Sequence, residues 1–405
     1  MQTKSNAFAL ATLATLFFVV GFITVLNDIL IPHLKVIFDL TYFEAALIQF
    51  CFFGAYFIVG GVFGKLLEKI GYPLGVILGF LLAALGCILF YPAAFTASYP
   101  IFLGALFILA SGIVLLQAAG NPFATLLAPG NEATALTLVQ AFNSLGTTLG
   151  PLFADVTKYA TKIEEAQSVQ VPYLGIAGVL ILLAVVVYLL KLPDVRERAK
   201  KVSNENRDGK TSIFEYSHLV LGAGAIFFYV GAEVSIGSFL ILIMKDVMGI
   251  EEKVGATYIA YYWGAAMVGR FVGSFIMTQI APNECLAFNA IMSIVLIIIA
   301  IAFGLSIDFE DRENIAGKIM MVALLAIGLF NSIMFPTIFS LATKNLGKFT
   351  SQASGIICMA IVGGALIPPA QGLMADYFGL LISYLIPVLC YIYILFFALK
   401  GYQAK

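Results

Sequence analysis

Charge is what this sequence has least of. Of 405 residues, 11% are charged and 61% are hydrophobic, with a mean hydropathy of +1.01. So few charges cannot cover a globule in water, which excludes a soluble domain. Alternation of polar and apolar residues is missing too, which excludes a membrane barrel, whose strands alternate over ~10 positions. Cys51, Cys87, Cys285, Cys358 and Cys390 lie in or at the ends of apolar runs without metal-ligand spacing, so neither a disulfide framework nor a zinc site is expected. Histidine occurs only at His33 and His218. With the acidic run Asp308-Phe-Glu310-Asp311, these are the groups a membrane enzyme acting on a lipid-linked sugar would have to use, and no metal or nucleotide motif accompanies them. Gly209-Lys210-Thr211 looks like the end of a phosphate loop, but Asn204 stands where its first glycine belongs and no strand precedes it. No cofactor and no nucleic-acid partner are expected.

Long apolar runs fill the rest of the chain. Twelve begin near Ala7, Phe43, Pro73, Tyr99, Ala133, Pro172, Ser217, Gly255, Cys285, Ile315, Gly355 and Gly379. Each holds about 20 residues or more, enough to cross ~30 Å of hydrocarbon as a helix. The first also runs past the apolar length of a signal peptide and carries Asn27-Asp28 near its far end, so it reads as an uncleaved helix. The expected fold is an all-α membrane protein of twelve transmembrane helices.

The second six runs repeat features of the first six in order. Phe17 to Gly21 reads FFVVG and Phe227 to Gly231 reads FFYVG, an offset of 210. Gly54-Ala55 meets Gly264-Ala265 at that offset, Gln117 before Pro122 answers Asn331 before Pro336, and Gly146 with Pro151 answers Gly363 with Pro368. Duplicated halves of this kind mark secondary transporters. The domains expected are 1–191 and 215–405, joined by a polar linker over 192–214. Threading twelve spans with the N-terminus inside places 15 of the 22 Lys and Arg residues in cytoplasmic segments, so both termini are expected in the cytoplasm.

Ionisable side chains within hydrocarbon are costly and therefore functional candidates. Asp28 on span one and Glu233 on span seven stand out, and the offset of 210 pairs Glu233 with Ile23 instead of Asp28, so the two acids are expected to do different work. Gln49, Gln117, Asn121, Gln140, Asn143, Asn331 and Gln371 also interrupt apolar runs. An amide donates and accepts, which suits the hydroxyls of a neutral sugar, although amides also join membrane helices to one another. Tyr258, Tyr261, Tyr262 and Trp263 gather on span eight, where rings could stack on a sugar face. Pro122, Pro151, Pro336, Pro368 and Pro369 are expected to kink their helices. The loop Gly64 to Pro73 carries Glu68 beside Lys69 between turn-forming glycines, and Gly269-Arg270 repeats part of it after span eight; these three charged residues are candidate gating groups.

Together these residues resemble the fucose/galactose/glucose/N-acetylglucosamine symporter family of the major facilitator superfamily. The resemblance spans nearly the whole chain and rests on Asn27-Asp28-Ile-Leu-Ile-Pro32, Ala119-Gly-Asn121-Pro122-Phe123, Gln140-Ala-Phe-Asn143-Ser144, Tyr229-Val-Gly231-Ala232, Pro336-Thr-Ile-Phe-Ser340 and Lys344-Asn345-Leu-Gly347. It implies two six-helix bundles and alternating access around a central sugar site; the expectation is a bacterial inner-membrane transporter, with monomeric function as the default. Asp28 would be the family's acid on helix one and Asn143 an amide near the sugar. Gln117 stands where fucose-transporting members carry a glutamate, and Glu233 where they carry a glutamine, a pattern closer to the glucose/galactose subgroup. The resulting expectation is cation-coupled import of a neutral hexose, with Asp28, Asn27, Gln117 and Asn121 at the cation and Glu233, Gln49, Gln140, Asn143, Asn331, Tyr262 and Trp263 at the sugar. Asp28 among amides suits a proton or oxygen-ligated Na⁺, with sodium preferred. Proton-coupled transport of L-fucose or N-acetylglucosamine and uncoupled facilitation are the alternatives.

Overall fold

The structure is a computed structural model that describes residues 7–22, 42–96, 98–154, 170–190, 192–193, 211–249, 252–307 and 315–403. Asn27, Asp28 and most of the linker lie outside the described residues, as does the side chain of Gln49.

Helices follow the apolar runs. In chain order they are α1 (Ala7–Phe22), α2 (Tyr42–Ile70), α3 (Tyr72–Phe95), α4 (Tyr99–Leu127), α5 (Glu132–Ala154) and α6 (Gln170–Leu190). The second set is α7 (Ser217–Asp246), α8 (Glu252–Ile276) and α9 (Pro282–Gly304). Three interrupted spans complete it: α10 (Ile315–Asn331) with α11 (Met334–Ala342), α12 (Thr350–Ala360) with α13 (Gly363–Phe378), and α14 (Leu380–Ser383) with α15 (Leu385–Phe396) and a π turn over Phe397–Gly401. Nine segments among the described residues are long and apolar enough to cross a membrane. The described residues contain no strand. Proline opens α3, α4 and α9, where its missing N–H costs no helical bond. Between α2 and α3 the chain turns at Gly71, whose φ of 84° would strain a residue with a Cβ.

The chain packs as two compact units. Unit 1 comprises Met1–Glu132, Leu145–Ile213 and Asn345–Met359; unit 2 comprises Ala133–Ser144, Phe214–Lys344 and Ala360–Lys405. In unit 1, α3 packs on α4 and α6. Leu74, Leu78, Leu81, Leu85 and Ile88 form an exposed stripe along α3, while Gly75, Gly79, Ala83 and Gly86 are buried on its other side. Large residues toward lipid and small ones toward neighbouring helices are what a bilayer selects, because close backbone approach replaces the hydrophobic drive between helices. A Cβ on Gly86 would lie 2.4 Å from the backbone of Leu109, and one on Gly112 would lie 2.3 Å from that of Ala83. In unit 2, α7 packs on α11, α13 and α15, while α10 packs on α8 and α9.

The duplication read from the sequence has a physical counterpart inside each unit. Within unit 1, a Cβ on Gly146 of α5 would sit 2.0 Å from the Phe18 carbonyl of α1; within unit 2, one on Gly363 of α13 would sit 1.9 Å from the Phe227 carbonyl of α7. The matched glycines are therefore matched helix crossings, each closed to any side chain.

Of the prolines expected to kink helices, Pro122 lies inside an uninterrupted α4, and Pro368 and Pro369 lie inside α13. Pro336 is different. Its span is broken at Ser332 and Ile333, between α10 and α11. Residue 332 is four before the proline, the position whose carbonyl loses its helical donor and meets the ring.

Candidate functional site

In unit 2, a polar cluster gathers around Glu233 and Asn331. Glu233 lies on α7, partly exposed, and the hydroxyl of Tyr229 one turn earlier donates to its Oε1 at 2.7 Å. The spacing i, i+4 brings the phenol and carboxylate together on one helical face. Glu233 is also within electrostatic reach of Arg270, Tyr262 and Tyr391. Tyr229 itself is buried and its ring leans on Phe335 of α11.

Asn331 ends α10 and is fully buried. Its Nδ2 donates to the Tyr262 hydroxyl at 2.8 Å, and its Oδ1 accepts from the Tyr391 hydroxyl at 2.6 Å. One amide from span ten is thus clamped between phenols from α8 and α15. Trp263 follows Tyr262, edge-on to its ring at 5.3 Å, but remains 37% exposed. The expected sugar residues Asn331, Tyr262 and Trp263 therefore come together, with Glu233 within electrostatic reach of Tyr262; Asn331 and Tyr262 are buried, while Glu233 is partly exposed and Trp263 exposed.

Gln140 and Asn143 lie in the part of α5 that belongs to unit 2. Gln140 is buried and Asn143 partly exposed. The Gln140 carbonyl accepts from Arg270 Nη1 at 3.3 Å, and the same guanidinium donates to Ser144 Oγ and, through Nε at 3.0 Å, to the carbonyl of Ser332. Arg270 thus bonds α5 and the span-ten break together.

In unit 1, Gln117 of α4 is partly buried and donates to the Tyr56 hydroxyl of α2 at 3.3 Å. Asn121, one turn on, is fully buried. Glu68 is exposed and accepts from Gln352 Nε2 at 2.7 Å; Lys69 beside it is exposed too. The segment containing Gln352 makes further contacts with unit 1 helices: Ser351 Oγ donates to the Tyr72 hydroxyl at 2.9 Å, and Ser354 Oγ donates to the Ala118 carbonyl at 2.8 Å.

Tyr229, Tyr391, Ser332 and Tyr56 were not among the sequence candidates. The i, i+4 relation to Glu233 could have found Tyr229. Tyr391 sits in LIPVLCYIYILF, where nothing separates it from its neighbours.

A duplicated all-helical membrane fold with a buried polar cluster in one bundle defines a transporter. The sequence description of the Major Facilitator Superfamily matches residues 13–367. A Helicobacter pylori protein provisionally named a glucose/galactose transporter is 59% identical over 421 residues, covering 100% of this chain and 99% of that protein. The glucose/galactose transporter of Brucella abortus is 51% identical over 406 residues, covering 98% of this chain and 95% of its own length. A crystal structure of the Escherichia coli fucose:proton symporter superposes with a TM-score of 0.84 at 31% identity, over 99% of this chain and 100% of that one. The chain belongs to the major facilitator superfamily. It is a multi-pass membrane transporter with that superfamily's fold, not an enzyme.

Proposed function

We propose that the chain imports a neutral hexose of the glucose/galactose type across a bacterial inner membrane, as a monomer with both termini in the cytoplasm, driven by a cation gradient. The observation that carries the sugar reading is the Glu233 cluster: a carboxylate whose Oε1 is held by Tyr229, within electrostatic reach of the Tyr262–Asn331–Tyr391 chain, with the exposed Trp263 ring against Tyr262. A carboxylate oriented through one oxygen offers the other to sugar hydroxyls, and an indole suits the apolar face of a pyranose. The names of the relatives at 51% and 59% identity support the same substrate class.

Coupling rests on Asp28, the acid of span one, and on Gln117, an amide where a second acid would make a proton relay. An amide keeps a hard oxygen ligand and removes a titratable group, which favours Na⁺. The deciding measurement is uptake of labelled glucose and galactose into proteoliposomes under an imposed Na⁺ gradient or an imposed pH gradient, each alone. Accumulation on sodium at constant pH is expected, and accumulation on the pH gradient alone would make the protein a proton symporter. Asp28→Asn should abolish accumulation but leave counterflow. Glu233→Gln should weaken sugar affinity about ten-fold or more, as loss of a charge-assisted bond does, while the cation dependence stays as it was; unchanged sugar affinity would move Glu233 out of the sugar site.

A further inference from the structure

We infer that Arg270 is a positioning residue: it ties the middle of α5, at Gln140 and Ser144, to the break in span ten and so fixes where Asn331 stands. In a membrane every main-chain carbonyl must find a donor inside the protein. Pro336 has no N–H to give the Ser332 carbonyl four residues before it, and Arg270 Nε donates to that carbonyl at 3.0 Å. On the other side of Asn331, the Phe330 carbonyl accepts from Asn289 Nδ2 of α9 at 2.8 Å. The backbone is thus held by a side chain on each flank of Asn331, while its own amide is held by Tyr262 and Tyr391.

Gly269 makes the arginine's reach feasible. A Cβ there would lie 2.5 Å from both the Leu329 carbonyl and Ser332 Oγ, so α8 lies against the break at the residue preceding Arg270. From that position the guanidinium forks. Nε serves span ten, and Nη1 serves the Gln140 carbonyl and Ser144 Oγ of α5. A planar fork with donors in two directions can do this; the single ammonium of lysine cannot hold both sides in the same geometry. Movement of α5 at Gln140 and Ser144 therefore pulls on the same group that closes the break beside Asn331. The sequence suggested only a gate for Arg270; its bonds add a link between α5 and an amide of the sugar cluster. The placing of Asn331 at the sugar rests on the proposed function, whereas the link between α5 and span ten does not.

The test uses the full-length protein in detergent and in proteoliposomes, with Arg270→Gln, Arg270→Lys and Ser144→Ala. Galactose binding is read by calorimetry and transport by counterflow. A second readout needs no sugar: the rate of maleimide labelling at Cys285, which lines one groove with Gly269, Ser332 and Ile333, in a background where the other four cysteines are alanine. Arg270→Gln should lower galactose affinity about ten-fold, the scale of losing a bond to a charged group, and speed labelling of Cys285. Arg270→Lys should fall between it and the parent in both. Ser144→Ala leaves the Ser332 bond alone, so it should keep the parent's affinity and labelling rate but lower the maximal counterflow rate about five-fold. Parental affinity and labelling in both arginine variants would overturn the brace. A Ser144→Ala protein with lower affinity and an unchanged rate would overturn the link to α5. If Arg270→Gln fails to fold, the lysine and alanine variants decide alone. If the parent binds no hexose, the sugar reading fails, and the labelling contrast still reports on the brace.

Discussion

Residues 345–359 and the first turns of α5 hold matching places in the internal repeat, each near the start of the fifth span of its six, yet different chemistry fastens them. In unit 1 the 345–359 segment is held by shape: a Cβ on Gly355 would come 2.4 Å from the Gly60 carbonyl and 2.9 Å from Gly64 Cα, so backbone lies on backbone. Neutral serine hydroxyls and one rim contact at Glu68 complete it. In unit 2 the polar fastening of the α5 segment is charged, one guanidinium donating to the Gln140 carbonyl and Ser144 Oγ, alongside the apolar contacts of Phe142 with Phe271 and of Ala133 with Met277, Cys285 and Ile333. A glycine contact depends steeply on distance and ignores salt. An arginine fork divides its hold among separate charge-assisted bonds, so the loss of one acceptor leaves the others in place. Duplication preserved the place of these contacts and not their chemistry.

Shape should be the easier of the two to break. Gly355→Ala puts a methyl group into backbone that has no flexible side chain to move aside, and overpacking of this kind costs about 1–3 kcal/mol. We expect at least a ten-fold loss of counterflow and a lower melting temperature. Gly54→Ala is the control, since nothing lies within 4 Å of a Cβ there. Parental transport by Gly355→Ala would mean that the segment does not need the close approach. Next in size is Ser354→Ala, which removes the 2.8 Å bond to the Ala118 carbonyl. A neutral bond of this type contributes about 0.5–1.5 kcal/mol, against about 1.5–3 for a bond to a charged group. Its effect on counterflow should therefore be smaller than that of Ser144→Ala in unit 2. The reverse order would place the stronger fastening in unit 1.

How much of this could be read from residues alone depends on the range of the interaction. Apolar runs are local, and all twelve begin within five residues of the helices observed. The repeat was legible because Gly146 and Gly363 have to be glycine for the same reason. Pro336 announced a kink, as did four other prolines, but not a break in its span or its consequences, since the donors to Phe330 and Ser332 come from Asn289 and Arg270, 41 and 62 residues away. Asn331 was legible as a polar intrusion. That two tyrosines take up its amide was not, because Tyr391 lies 60 residues on in a run that any apolar residue could fill. Asn27 and Asp28, expected at the cation, lie outside the described residues.

The smallest expected effect is at Glu68, and it sharpens the comparison most. Glu68 was singled out, with Lys69, as part of a gating loop, and it takes the amide of Gln352 at the exposed rim of the shape-held segment. Water competes for both partners there, and exposed polar pairs contribute about 0–1 kcal/mol. Glu68→Gln retains an acceptor and removes the charge. If the segment is held by glycine packing, counterflow should change less than about three-fold, and salt should affect the parent and the variant alike. If charge at the rim matters, Glu68→Gln should instead lose transport at low salt while its melting temperature stays at the parental value, and Gln352→Ala should not reproduce that loss. That outcome would make Glu68 a gating residue in its own right and give unit 1 a charged fastening to match Arg270.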